Sequence, residues 1–264
     1  NEIADITVLK DASATAVFGV RGANGVILVT TRRGEKGKAK VSVSSSVGVQ
    51  MPTRMLRGAD SYTYAKLFRE REANDGRDPD RYFTEYDLER FRLGDDPLMY
   101  PSIDWREYML KNSAIQTQHN LNISGGTDNV RYFISAGYLF QDGLFNDFGN
   151  ESEGYNYRRF NYRSNLDIDL SKSTTLKVGI GGVVGDRKQS SESEQTIWRS
   201  INNSQPFSSP GVIDGNYIVI PNKYGDIKHE NPLGRIYNRG YMSYIKNTLN
   251  MDLNLTQKLD FITK

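Results

Sequence analysis

The sequence contains no cysteine and very little histidine. Among its 264 residues, only His119 and His229 carry an imidazole. Without thiols the chain can form neither a disulfide framework nor a thiolate site. Two histidines also argue against a histidine-based metal centre or a Ser-His-Asp triad. These absences remove several common classes of enzyme and of structural metal site.

A strong net charge and long apolar runs are also lacking. Lys+Arg 34 against Asp+Glu 32 gives a formal net charge of +2, so no basic field indicates a nucleic-acid partner. Mean hydropathy is -0.60, and no stretch approaches the roughly 18 apolar residues of a membrane helix. This composition is still compatible with a membrane β-barrel, because barrel strands alternate apolar with polar residues.

Apolar and polar residues alternate with a period of two over much of the chain from Val41 onward. In residues 159–170, Phe160 and Tyr162 share one face while Arg159, Asn161 and Arg163 share the other. A soluble β-sandwich alternates in the same way. Strands of roughly ten residues with amide- and charge-rich polar faces favour the membrane version. The alternation predicts strands at 41–49, 120–124, 131–140, 159–170, 176–180 and 248–255, with a further strand beginning at Leu259.

The connections between these strands alternate between short and long. Turns are predicted at 125–129, 171–174 and 256–258, and long connections at 50–115, 141–156 and 186–243. In bacterial outer-membrane barrels the periplasmic turns are short and the extracellular loops are long. Loops of this length count against a compact soluble domain. The connections therefore predict a partial antiparallel barrel whose long segments lie outside the cell.

The first 40 residues have a different character. They predict a short strand at 6–9, a brief helix within 12–17, a glycine-rich turn at 19–25 and a strand at 26–31 that is apolar on both faces. This pattern is typical of the tail of a small α/β unit. The basic residues of 32–38 admit two interpretations, a solvated linker or a polybasic lipid contact, and the linker is the preferred one.

The first long connection is predicted to contain helices. Gly58 to Ser61 precedes an amphipathic segment ending near Glu72, and 84–91 predicts a second helix. Residues 105–110 predict a third. These helices would decorate the outer rim of the barrel.

Several of these segments resemble one family. Residues 8–31, from Val8-Leu9-Lys10-Asp11 to Val29-Thr30-Thr31, look like the plug signature of TonB-dependent outer-membrane transporters of the SusC/RagA type. The segments 104–105, 120–126, 132–143 and 161–166 resemble the early barrel of that family, and 231–233 does so more weakly.

The resemblance implies a membrane β-barrel of about 22 strands around an α/β plug. It implies division into the end of a plug at 1–33, a linker at 34–40 and the first part of the barrel at 41–264. The chain begins at Asn1 and ends at Lys264 within a predicted strand, so we expect it to be part of a longer polypeptide.

The resemblance also implies an activity and partners. It implies TonB-dependent import of oligosaccharides or oligopeptides across the bacterial outer membrane, without covalent chemistry. The expected partners are a SusD/RagB-like surface lipoprotein, the TonB complex (through a segment not in this chain), membrane lipid and lipopolysaccharide. No cofactor and no nucleic acid are expected.

Two groups of residues are candidates for binding. Arg21, Gly22, Ala23, Asn24 and Gly25 are the most family-specific stretch, either as a plug loop beside the barrel wall or as a plain turn. Aromatic and amide side chains in the last long connection suit sugar stacking, and they equally suit loop packing or contact with a lid subunit. These are Trp198, Phe207, Tyr217, Asn222 and Tyr224.

No enzymatic site is predicted. Loop acids could be paired on paper as in a glycosidase, but nothing fixes their separation; they are Glu192, Glu194, Asp214, Asp226 and Glu230. His229 is interpreted as a surface residue. A loop calcium site is conceivable, yet no EF-hand spacing occurs and none is predicted.

Two alternative functions stay open at this point. A surface adhesin or passive ligand-binding barrel would not need the plug-like segment at 6–31. A carbohydrate-active enzyme would need a catalytic carboxylate pair. The sequence does not separate glycan from peptide as substrate.

Overall fold

The main body of the chain is one open antiparallel sheet of six strands. The computed structural model describes residues 2–11, 16–22, 24–148, 154–218 and 231–259. The sheet strands are β3 (Gly37–Gln50), β4 (Ala114–Gly126), β5 (Val130–Asp142), β6 (Asn156–Asp169), β7 (Thr174–Ser190) and β10 (Tyr241–Gln257). Their order across the sheet is β10-β7-β6-β5-β4-β3. The predicted antiparallel partial barrel is confirmed. The strand predicted to begin at Leu259 falls largely outside the described residues.

The two faces of the sheet differ as the alternation predicts. On one face, exposed apolar side chains follow one another along each edge strand, for example Val43 at 73% and Leu253 at 74% exposed. The opposite face carries the polar residues of each strand, including Arg159, Asn161 and Arg163 of β6. We call these the outer and the inner face.

A separate two-stranded sheet contacts the inner face. It pairs β1 (Ile3–Leu9) with β2 (Val26–Thr31), and a 3-10 segment at Ala16–Gly22 lies between the two strands. A strand that is apolar on both faces, as predicted for 26–31, is typically covered on two sides, but Ile27 of β2 is 68% exposed among the described residues. Residues 12–15, where a helix was predicted to begin, are not among those described.

Short and long connections alternate as predicted. Residues 127–129 and 170–173 form tight turns, with the Thr127 and Ser171 amides donating to Val130 and Thr174 carbonyls at 2.7 and 3.2 Å. The long connections span 51–113, 143–155 and 191–240 at the opposite ends of the strands. The sheet therefore has a turn end and a loop end.

Among the described residues, five α-helices form a layer at the loop end, here called the helical cap. They are α1 (Ser61–Asn74), α2 (Glu85–Leu93), α3 (Trp105–Met109), α4 (Glu194–Asn203) and α5 (Pro232–Tyr237). The three helices predicted in the first long connection are confirmed. Capping explains where they begin: Asp60 accepts from the Thr63 amide at 2.7 Å, and Thr84 forms a capping box with Asp87.

The cap has two apolar cores. The first contains Ala65, Phe83, Leu88, Phe91 and Phe207, and the second contains Trp105, Met109, Ile197, Ile201, Leu233, Ile236 and Tyr237. Each core joins residues from the first and the last long connection. The Asn146 amide of the second connection donates to the Met109 carbonyl at 2.9 Å, so all three connections form one packed layer. No described helix has the length and apolar character required to cross a membrane.

The first barrel strand begins earlier than predicted. β3 starts at Gly37 and takes up the last residues of the predicted linker 34–40. The division into plug, linker and barrel stays a prediction, because strand pairing alone does not define domain boundaries.

Candidate site on the inner face of the sheet

Four consecutive inner-face residues of β6 hold the β1–β2 segment. Asn161 and Arg163 both donate to the Glu2 carboxylate, Arg163 through Nε at 3.1 Å. Two positions further, Asn165 Nδ2 donates to Thr31 Oγ1 at 3.1 Å and to the Arg32 carbonyl at 2.6 Å. All donors lie on one face because alternate strand residues point the same way.

An ion pair completes this interface at the turn end. Arg33 donates to the Asp167 carboxylate, whose side chain is only 9% exposed. Lys36 pairs with Asp128 in the turn between β4 and β5. Hydrogen bonds between charged groups are stronger than those between neutral groups. These contacts therefore hold the residues that follow β2 against the inner face of the sheet.

Glycines of β7 make space for the long side chains of β6. A Cβ at Gly181 would approach the Arg163 guanidinium to 3.1 Å, and one at Gly185 would approach the Tyr157 hydroxyl to 3.2 Å. Both distances are tighter than ordinary contact. The glycine-rich sequence of β7 therefore lets neighbouring side chains lie flat across the strand.

The glycine motif at Arg21–Gly25 forms a turn. The Gly25 amide donates to the Gly22 carbonyl at 3.0 Å, and Gly25 has a φ of 90° that favours glycine. Gly22 is buried, whereas Arg21 and Asn24 are exposed. Ala23 lies outside the described residues. These features fit the structural turn; its role as a plug loop stays a prediction.

The predicted loop residues do not form one cluster. Trp198 is 41% exposed on α4 and lines a cavity of about 540 Å³ with Phe145 and Tyr155. Burial raises the pKa of the Tyr155 hydroxyl. Phe207 is 1% exposed in the first cap core, so its ring packs against protein and leaves no face for a ligand.

The other predicted loop residues lie in a short hairpin or outside the described residues. Tyr217 belongs to the two-residue strand β9 (Asn216–Tyr217), paired with β8 (Val212–Ile213). Asn222 and Tyr224 lie outside the described residues. The prediction that these residues contact ligand or lid is therefore still open.

The loop acids show no catalytic arrangement among the residues described. Glu192 pairs with Arg239 at 3.2 Å and with Arg235 at 3.8 Å, as structural carboxylates do. Asp214 is exposed in the β8–β9 turn. Asp226, His229 and Glu230 lie outside the described residues. Within the described ranges, no group of three acidic or histidine side chains is placed to hold a metal ion.

Apart from Arg159, which the alternation placed on the polar face, the inner-face residues near the loop end were not predicted from the sequence. Pairing places Tyr157, Arg187 and Tyr244 in one row across β6, β7 and β10, with Arg159 and Lys246 in the next row. β10 was predicted to begin only near Thr248, because Met242 and Tyr244 interrupt the polar half of the alternation. The signal that could have identified these inner-face residues was the high content of charged and aromatic residues in segments that were predicted to be loops.

Comparison with known proteins relates the chain to TonB-dependent receptors. It is 32% identical over 186 residues to TonB-dependent receptor P3 of Formosa agariphila, covering 70% of this chain and 15% of that protein. It is 27% identical over 257 residues to TonB-dependent receptor SusC of Bacteroides thetaiotaomicron, covering 89% of this chain and 23% of SusC. No family model matches the chain.

Solved structures show the same fold. The RagAB peptide importer in its closed-closed state superposes with a TM-score of 0.68 at 18% identity, over 98% of this chain and 30% of that one. A second structure, of the RagAB peptide transporter, gives 0.55 at 22% identity over 71% of this chain and 22% of that one.

The comparisons agree on both sequence and fold. The chain spans 15 to 23% of the length of the curated relatives cited above, and it aligns with 30% of the RagAB chain. Its open sheet thus corresponds to one part of those larger proteins. The relatives and the fold together identify this chain as a SusC/RagA-like portion of a TonB-dependent receptor.

Proposed function

We propose that the chain belongs to an outer-membrane receptor that imports bulky nutrients by a TonB-dependent mechanism. The observation that carries this proposal is the β1–β2 segment bound to the polar inner face through Glu2, Arg33 and β6. A segment that occupies the lumen blocks passive flow, so a source of energy must move it. An adhesin built on a barrel would not need such an obstruction.

The outer face supports a position in the bacterial outer membrane. Strands β3 and β10 have 14 and 17 residues, against about 9–11 needed to cross a bilayer when tilted. Their apolar outer residues, such as Val43 and Leu253, are exposed where lipid would cover them. In this position the turn end faces the periplasm, and the helical cap faces outward among lipopolysaccharide.

We propose a SusD/RagB-like surface lipoprotein as the extracellular partner. The helical cap supports this, because its two apolar cores give the long connections a fixed surface at the loop end. TonB would supply the energy for import. The proposed cargo is an oligosaccharide or oligopeptide, and the chain would bind it without changing any covalent bond.

Uptake by the full-length receptor tests the function. Cells expressing the receptor should accumulate a labelled nutrient only when TonB and the proton gradient are intact. Accumulation that persists without TonB would contradict energised import and support a passive barrel. Surface retention without accumulation in either strain would support an adhesin. Deleting the lipoprotein gene should lower uptake if the lid is a partner.

A further inference from the structure

The inner face near the loop end carries cations without carboxylates to balance them. Four basic residues of β6, β7 and β10 point into this region; they are Arg159, Arg163, Arg187 and Lys246. Arg163 is neutralised by Glu2 at 3.1 Å. Among the residues described, the other three form no ion pair. Cations that a protein leaves unpaired on a wall favour anionic ligands.

The register arranges Arg159, Arg187 and Lys246 in two neighbouring rows across the sheet. The upper row reads Gln116, Gln141, Tyr157, Arg187 and Tyr244 from β4 to β10. The row below reads Gln118, Leu139, Arg159, Gly185 and Lys246. With strands about 4.8 Å apart, each row extends about 19 Å, which is the scale of an oligomer.

Acidic side chains lie elsewhere on the sheet. On the described inner face they occur only toward the turn end, as Asp167, Asp169 and Asp252. Above the upper row, Glu194 of α4 and Asp142 at the end of β5 line a cavity of about 180 Å³ beside Arg187. Asp142 pairs with Lys111 at 3.2 Å, and neither acid pairs with Arg187 among the described residues. The charge is thus separated along the strands, with the positive region nearer the loop end.

Two local details indicate a place for a ligand. A cavity of about 360 Å³ is lined by Tyr157, Gly185, Arg187, Tyr244 and Lys246, among others. The Arg187 guanidinium lies 5.7 Å from the centre of the Tyr157 ring, which holds it in the cavity wall. In the lower row, the Nε atom of Arg159 is buried without an acceptor among the described residues, a costly state unless an anion supplies one.

We propose that these two rows bind an acidic oligosaccharide, one bearing carboxylate or sulfate groups, above the plug segment. The guanidinium and ammonium groups would bind the anionic groups. The tyrosine rings would stack on the C–H faces of sugar rings, and Gln116, Gln118 and Gln141 would bond to hydroxyls. The mixture of exposed aromatic rings and amides favours a glycan over a peptide. This inference rests on the proposed import function and names its cargo class.

Binding to the full-length receptor in detergent tests the inference without requiring transport. The probes are an oligogalacturonate, a neutral malto-oligosaccharide of equal length and an oligoglutamate. The oligogalacturonate should bind most tightly, and its affinity should fall as ionic strength rises from about 0.01 to about 1 M because screening shortens the reach of the cations. Equal affinity for the neutral sugar would overturn the proposal, and preference for oligoglutamate would replace the glycan by a peptide.

Variants of the basic residues test whether the two rows on the inner face bind the oligogalacturonate. Replacing Arg159, Arg187 and Lys246 together by Gln should weaken oligogalacturonate binding by at least about tenfold, given the strength of hydrogen bonds to charged groups. Arg158→Gln is the matched control, since Arg158 is the neighbour of Arg159 on the outer face. If the triple variant binds like wild type, the wall is not the site.

The two proposals can fail separately. TonB-dependent uptake of a neutral nutrient, with no binding of the acidic probe, would retain the import function and remove this inference. Tight binding of the acidic probe without TonB-dependent uptake would retain the binding site on the inner face and remove the import function. A triple variant that still assembles, judged by its heat-modifiable migration, keeps loss of binding distinct from misfolding.

Discussion

Gly181 lies on the inner face of β7 beneath the guanidinium of Arg163, which in turn binds Glu2. A larger side chain at position 181 would therefore act on the plug contact through a neighbouring strand. The two charged partners are about one-fifth exposed, at 22% and 19%, so solvent screens them only in part. A hydrogen bond of this kind contributes about 1.5–3 kcal/mol.

We predict that Gly181→Ala loosens the β1–β2 segment. The new methyl group forces the Arg163 guanidinium away from Glu2, and backbone amides of β2 should exchange hydrogen about tenfold faster, which corresponds to about 1.4 kcal/mol. Hydrogen exchange on the full-length receptor measures this. Gly48→Ala is the control, because the nearest atom to its Cβ is at 4.0 Å. Equal exchange in both variants would show that Arg163 does not hold the plug.

At the scale of the element, α1 is fixed by a buried acid. Glu72 is 1% exposed and pairs with Arg71 at 2.5 Å and with Arg77 at 3.3 Å. The hydrogen bond from Arg71, followed by the charges of Arg71 and Arg77, holds the pKa of Glu72 below its ordinary value of 4.5. A lowered folded-state pKa means that the ionised form stabilises the fold.

We predict an acid-sensitive helical cap. Glu72 stabilises the cap above about pH 4.5, and this contribution should disappear as pH falls through its lowered folded-state pKa. Limited proteolysis of the first long connection, followed against pH with an acid-tolerant protease, should show cleavage rising below that value. Glu72→Gln should be cleaved faster than wild type at pH 7 and equally fast at the acid end. Glu70→Gln, an exposed neighbour, should match wild type throughout, and a shared response of both variants would contradict the assignment.

Element types were predictable where a short-range pattern carries them. The strands β3 to β6 and the helices α1 to α3 follow from period-two alternation and from N-caps such as Asp60 and Thr84. The inner-face site was only half predictable. Arg159 and Arg163 were placed on the polar face, but the position of Arg159 beside Lys246 depends on strand register. The bond from Arg163 to Glu2 joins side chains 161 positions apart. Pairing of this range leaves no local trace in the sequence.

Misplaced boundaries have a physical reason as well. β7 continues through Gly181, Gly182 and Gly185 to Ser190, where glycines erase the alternation. β10 begins at Tyr241 and not near Thr248 as predicted. The earlier start was missed because both faces of the strand carry aromatic or long side chains near the loop end. Phe207 lies in a core, the loop-packing alternative, because an aromatic residue in a loop segment can pack in a core as well as bind a ligand.

At the scale of the whole molecule, the position of the plug segment gives the sheet a direction. Arg33 and Lys36 contact Asp167 and Asp128 close to the tight turns, so the chain enters β3 from the turn end. The helical cap lies at the other end of the same strands. In a bilayer these ends face opposite compartments, and the assignment of turn end to periplasm is open to direct measurement.

We predict that the two ends label from opposite sides of the outer membrane. In a cysteine-free full-length receptor, Asn216→Cys in the cap and Asp95→Cys after α2 should react with an impermeant maleimide on intact cells, since both positions are exposed. Lys172→Cys in the β6–β7 turn, exposed at the turn end, should react only after the outer membrane is opened. Labelling of Lys172→Cys alone on intact cells would invert the barrel and put the cationic rows of β6, β7 and β10 on the periplasmic side of the plug. The cationic rows would then lie on the path by which the glycan leaves the barrel. The glycan would therefore contact them after it has passed the plug and not before.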